Sequence, residues 1–179
     1  MTEFAAIAPR IASAQSPAPA LEAVFRAIAA HQMRDMPMLN PALSVEAVGF
    51  RPWREHWLGV LITPWFMNLV LMPREREKWQ PLAQRETRHY AFPAGVFEFI
   101  GAHNAVLGDY QACSLFSPMF EFSDPGGARA TAVAALDLLF DPACHEHGAL
   151  GPTLERAPDL TPNKRDFLFA RPPRDQRAS

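Results

Sequence analysis

The run Cys144, His145, Glu146, His147 sets a thiol, two imidazoles and a carboxylate side by side, donor types that zinc and related ions accept. A structural zinc site needs four donors in tetrahedral geometry, usually as two well-separated pairs. The only other cysteine, Cys113, lies in an apolar stretch, so the run reads as a solvated helix exit, and neither a metal nor another cofactor is expected. Cys113, His89 and Asp109 supply the residue types of a nucleophilic triad. Their local sequence has no nucleophile elbow or thiol-protease signature, and Cys113 between Ala112 and Ser114 reads as a small packed residue. No phosphate-binding loop and no GxGxxG motif is present. Glu98 and Glu121 offer two carboxylates, but nothing in the sequence brings them within acid/base reach of each other. In Phe97-Glu98-Phe99-Ile100, the carboxylate is either a partly buried anchor or a group on a solvated strand face. No catalytic residue is assigned, and the chain reads as a binding protein rather than an enzyme.

Bulky apolar side chains at proline-interrupted corners are the more distinctive feature. Thr63-Pro64-Trp65-Phe66-Met67-Asn68 places three large side chains where proline, which cannot donate to a sheet ladder, interrupts pairing. Phe92-Pro93-Ala94-Gly95 and Ser117-Pro118-Met119-Phe120 repeat the arrangement. Such residues either tuck back into the core or stay exposed for a partner. A single corner favours tucking back, whereas three together suggest a shared, adaptable peptide-binding surface, because methionine and aromatic side chains carry much of the energy in such contacts.

The elements that must position these corners are read from periodicity. Ser16 as a cap and Pro17 in the first turn start a helix whose buried side is Leu21, Val24, Phe25 and Ile28, and which ends near residues 33–35. From Leu43 to Ser117 the pattern changes to strands, predicted at 45–53, 57–63, 68–72, 85–92, 95–101 and 110–116. The run Trp57 to Thr63 is almost continuously apolar, as expected of a strand covered on both faces. Asp124 and Pro125 start a second helix, with Val133, Leu136, Leu139 and Phe140 on its buried side, and Asp141-Pro142 ends it. The expected fold is α+β: a mostly antiparallel sheet of about six strands flanked by an N-terminal and a C-terminal helix, spanning residues 17–141. Residues 1–16 and 142–179 are expected to be flexible tails.

Bulk properties bound the partners. The 179 residues suffice for one core and are few for two. Eighteen prolines gather in the tails and at strand edges, and the 11% of aromatics gather in the middle, which separates a body from its flanks. A net charge of −2 gives no reason to expect nucleic acid as partner. From Lys164 onward, five basic residues outweigh two acidic ones, a local excess of +3 that leaves −5 on the rest. Two cysteines do not make a disulfide framework, residues 1–10 lack the basic front and apolar run of a secretion signal, and no stretch approaches a membrane span. The expectation is a cytoplasmic protein with reduced thiols and no membrane insertion.

The segments Asn40-Pro41, VEAVGFRPW (45–53), HWLGVLITPWFMNLVL (56–71), FPAGVFEFIGA (92–102) and LGDYQACSLFSPMFEF (107–122) resemble the HybE/HupJ-type [NiFe]-hydrogenase assembly chaperones. The resemblance covers about residues 20–141 in the family's order. It implies a chaperone of hydrogenase maturation acting on the immature iron–sulfur small subunit, including its twin-arginine export signal, and touching the large subunit. Some members carry a rubredoxin domain; the two CxxC pairs such a domain needs are missing here, so no iron site is implied. On this reading the partner surface is drawn from Trp65, Phe66, Met67, Asn68, Phe92, Pro93, Glu98, Pro118, Met119 and Phe120. Residues 163–169, with Lys164, Arg165, Phe167 and Leu168, resemble the core of a twin-arginine signal with lysine in place of the first arginine. They read as an internal imitation of the client's signal that competes for the same groove. The alternative reading is a basic tail with a chance match.

Overall fold

A computed structural model describes residues 15–144. The segments 1–14 and 145–179 lie outside the described residues, and with them most of the expected tails, the segment 163–169, and His145 and His147.

Helix α1 spans Ala18–His31. Ser16, expected as the cap, lies one residue before it, its Oγ accepting the Ala18 N–H at 3.3 Å. Pro17 stands at the cap position itself, and Pro19 takes the first-turn place that suits a residue without an N–H. Six strands come next: β1 Glu46–Trp53, β2 His56–Ile62, β3 Met67–Pro73, β4 Thr87–Phe92, β5 Gly95–Asn104 and β6 Gly108–Phe116. Helix α2, Pro125–Leu139, closes the described chain, with the Asp124 carboxylate accepting from the Gly127 N–H at 2.9 Å. The predicted start of β4 at residue 85 moves to Thr87 because Arg85 has a positive φ of 71° and sits in a turn joining Ala83 to Glu86.

The strands form one sheet in the order β1-β2-β3-β6-β5-β4, with every neighbouring pair antiparallel. One helix covers each face. Leu58, Val60 and Ile62 of β2 join Met67, Leu69, Leu71, Phe99, Cys113 and Leu115 in the core beneath α2. Trp57 and Leu61 of the same strand point the other way, where Val70 and Met72 meet Leu21 and Phe25 of α1. Strand β2 is therefore apolar at successive positions because both of its faces are covered.

Helix α2 buries Ala128, Ala132, Ala135, Leu136 and Leu139, whereas Val133 is 44% exposed. Small alanines let the helix axis approach the sheet closely. Val133, one residue beyond Ala132, is turned about 100° off that contact row. The same closeness explains Gly49, whose φ of +64° belongs to an irregularity in β1 and whose missing Cβ would stand 2.5 Å from Leu136 Cδ1.

The sheet is rolled until its two edge strands meet. Trp53, at the end of β1, stacks on Phe92 of β4 at 4.3 Å and 15°, although β1 and β4 lie at opposite ends of the strand order. Arg54 donates to the Ala91 carbonyl at 3.2 Å across the same seam, and His56 lies edge-on to Tyr90 and Trp79. His56 Nδ1, Tyr90 OH and Trp79 Nε1 are buried there with no hydrogen-bond partner among the described residues. Burial holds the His56 imidazole below its ordinary value of 6.5, Glu55 pulling the other way and Arg54 and Arg88 adding to the lowering. A lowered histidine disfavours the charged form in the folded state, so its contribution to stability is complete above 6.5 and is lost as pH falls below it. Thermal melts between about pH 7 and pH 5 should therefore show an acid decline that is shallower in His56→Gln than in the parent. Parallel slopes would mean that other groups carry it.

Candidate functional site

Antiparallel order brings together the end of β2, the start of β3 and the end of β6, with Met67 opposite both Ile62 and Phe116, so the first and third proline corners adjoin. The second, between β4 and β5, lies instead against the β1–β2 turn, where Phe92 meets Trp53 and Arg54 donates to the Ala91 carbonyl. The first is shaped by Thr63, which is fully buried. Its Oγ1 accepts the N–H groups of Trp65 at 3.3 Å and Phe66 at 2.9 Å, and its own N–H donates to the Phe66 carbonyl at 2.8 Å. Asn40 ties this corner to the third one. Its backbone N–H donates to the Pro64 carbonyl at 2.8 Å, and its side-chain Nδ2 donates to the carbonyls of Met119 at 2.9 Å and Phe122 at 2.7 Å. Ser117 Oγ adds a bond to the Trp65 carbonyl at 3.4 Å.

Inside this frame the proposed partner residues divide. Met67 and Met119 are fully buried and Phe92 is 6% exposed, so the expectation that they face a partner is corrected: all three belong to the core beneath α2. Met67 opens β3 opposite Ile62 and Phe116, and the ring of Phe92 is held between Trp53 and Phe140. Pro93 and Pro118 are exposed, and Phe120 is 61% exposed. Trp65 and Phe66 are half-buried, with Phe66 packed edge-on against Phe25 of α1 and against Trp65. Asn68 is half-buried, with Oδ1 unpartnered among the described residues. Glu98 is exposed and faces His89 at 3.5 Å, which settles it as a group on a solvated strand face.

Cross-strand partners share a face, which identifies the surface that α1 leaves uncovered. Asn68 pairs with Ser114, Ile100 with both Ala112 and Thr87, Glu98 with His89, and Val96 with Ala91. Val70, which packs under α1, pairs with Ala112, so these residues all lie on the α1 side. Helix α1 shelters the β1–β3 part of that side. Beyond it runs an open strip over β6, β5 and β4, where Val96 is 68% and Ile100 44% exposed. Sequence reasoning singled out Glu98 but not its neighbours Val96 and Ile100. The signal was strict alternation: Phe97 and Phe99 point to the core side, so Val96, Glu98 and Ile100 must share the opposite one.

The groups weighed for catalysis are dispersed. Cys113 is 1% exposed in the core beneath α2, whereas His89 sits on the α1-side strip and Asp109 is paired with His103 at 2.7 Å. The Cys144 thiol is pushed up by its surroundings, first by burial and then by the charge and hydrogen bond of Asp141, the reverse of what activates a nucleophilic cysteine. Glu98 and Glu121 stand on different elements, one in β5 and one in the turn after β6. No helix among the described residues is long and apolar enough to cross a membrane.

A rolled antiparallel sheet with one helix on each side, open beyond α1, defines an α+β fold. Residues 16–170 match the family described as "[NiFe]-hydrogenase assembly, chaperone, HybE". The chain belongs to this family of hydrogenase assembly chaperones. It is 43% identical over 145 residues to the hydrogenase expression/formation protein HupJ of Bradyrhizobium diazoefficiens, covering 80% of this chain and 82% of that one. It is 43% identical over 165 residues to the protein HoxT of Cupriavidus necator, covering 84% and 87%. The solution structure of HybE from Escherichia coli shares the fold, with a TM-score of 0.58 and 22% identity over 81% of this chain and 89% of that one.

Proposed function

We propose that the protein is a non-catalytic cytoplasmic chaperone that holds an immature [NiFe]-hydrogenase subunit on the α1-side strip and its aromatic rim. The iron–sulfur small subunit, with its twin-arginine signal, is the principal client, and the large subunit is a second contact. The observation that carries this reading is the open sheet face itself, on which Val96 and Ile100 are exposed. A monomer ordinarily covers contiguous apolar strand residues unless they serve a partner. An exposed strip of small and branched side chains suits an extended polypeptide. Such a segment gains apolar contact there without the protein having to open.

The test is capture of purified small subunit, with and without its signal peptide, alongside purified large subunit. The expected result is retention of the signal-bearing small subunit, weakened when the signal is removed and weakened again by Val96→Asp. Retention of the large subunit alone would make that subunit the client. If neither subunit binds in the absence of other maturation factors, the protein is a scaffold and the direct-capture reading fails.

A further inference from the structure

The described fold stops at Cys144, yet the family match continues to residue 170, 26 residues further. The matched unit therefore includes sequence that the rolled sheet does not account for. Helix α2 delivers the chain to a definite place: the Leu139 carbonyl accepts the Ala94 N–H at 3.2 Å. The C-terminal segment thus sets out from beside the β4–β5 turn, at one end of the open strip.

Composition indicates which part of that segment would gain from the strip. Phe167 and Phe169 are the only aromatic residues after Cys144, and they flank Leu168 directly behind Lys164 and Arg165. The strip offers Ala91, Val96, Ile100 and Ala112 as apolar floor and Glu98 as the carboxylate at its middle. From Lys164 onward the chain carries +3 against −5 on everything before it, so the approach is electrostatically favoured. Reach does not limit it, since the 19 residues from Cys144 to Asn163 can span roughly 60 Å, several times the length of a six-residue strand.

Resting on the reading of this strip as the client surface, we infer that residues 163–169 dock on it, with Lys164 and Arg165 toward Glu98 and Phe167 and Leu168 over Val96 and Ile100. The chaperone thereby covers its own apolar face when no client is present, and a client must displace the segment. Tethering sets a local concentration of about a millimolar, so a segment that binds with a dissociation constant of about 0.1 mM when free would be mostly docked. Its removal would then strengthen client binding by about tenfold.

The experiment compares the full chain with one ending at residue 160 by amide NMR, and adds a synthetic peptide of residues 161–179 to the shorter chain. Truncation is expected to shift amides of β4 and β5, and the added peptide to restore them. Neither change should occur in Val96→Asp, with its melting temperature as the check on folding. Shifts elsewhere, or none, overturn the inference. A client signal peptide titrated into the same sample separates the two ideas. If it perturbs the strip while the tail peptide does not, only self-docking fails; if neither does, the client surface is elsewhere as well.

Discussion

Asn40→Ala should destabilise the protein by about 3 kcal/mol and lower its melting temperature by roughly 10 °C. Asn40 is 6% exposed, and its side chain donates to two carbonyls, Met119 and Phe122, while accepting the Ala42 N–H at 3.0 Å. The Met119 carbonyl keeps the Phe122 N–H at 3.2 Å, but the Phe122 carbonyl and the Ala42 N–H lose the amide, and a buried polar group without a partner costs about 1–3 kcal/mol. The loss also frees the 117–122 turn from the 63–66 corner, because the remaining links are the Asn40 N–H to Pro64 and Ser117 Oγ to Trp65. Hydrogen exchange should accordingly quicken in both turns before it does in β2 or β3. Asn40→Asp adds a pH signature. An ionised carboxylate would face two carbonyl oxygens, so its folded-state pKa must lie above the ordinary carboxylate value near 3.9. Folding then favours the protonated form: the variant loses least at low pH, and its deficit grows as pH rises past that value. A melting temperature of Asn40→Ala within about 2 °C of the parent would show that the two turns hold each other without this side chain.

Asn40 also shows where the sequence is silent. Its role depends on residues some eighty positions away, and no local pattern announces a contact of that kind. Local signals did their work elsewhere. The unbroken apolar run of β2 announced a doubly covered strand, and Asp124-Pro125 announced the start of α2. The sheet's roll was not legible, because Trp53 and Phe92 meet across the two edges of the strand order. That closure decides which corner residues are core. Met67, Phe92 and Met119 look like their exposed neighbours in composition, and only the side of the sheet on which each falls separates them. Alternation within β5 would have placed Val96 and Ile100 with Glu98 had it been followed through, whereas the alanine face of α2 hid from a search for large apolar residues.

Neighbouring residues in the third corner should then behave in opposite ways. Met119 is fully buried among Phe116, Leu139 and the rest of the core beneath α2, so Met119→Ala removes packed methylenes and leaves a cavity. Its expected cost is about 3 kcal/mol, read as a fall of roughly 10 °C in melting temperature. Phe120 is 61% exposed on the same turn, and Phe120→Ala should leave the melting temperature within about 2 °C of the parent. Client capture should move the other way. An exposed ring truncated within a contact surface costs about 1–2 kcal/mol of binding, so Phe120→Ala should weaken capture by about tenfold. Met119→Ala, assayed well below its lowered melting temperature, should bind within about twofold of the parent, because its side chain never reaches the client. Trp65→Ala falls between them, since Trp65 is half-buried against Phe66 and takes part in both core and rim. It should lose both stability and affinity. Should Phe120→Ala prove as unstable as Met119→Ala, or capture persist unchanged without its ring, the corner is packing alone and the client surface shrinks to the strip over β4, β5 and β6.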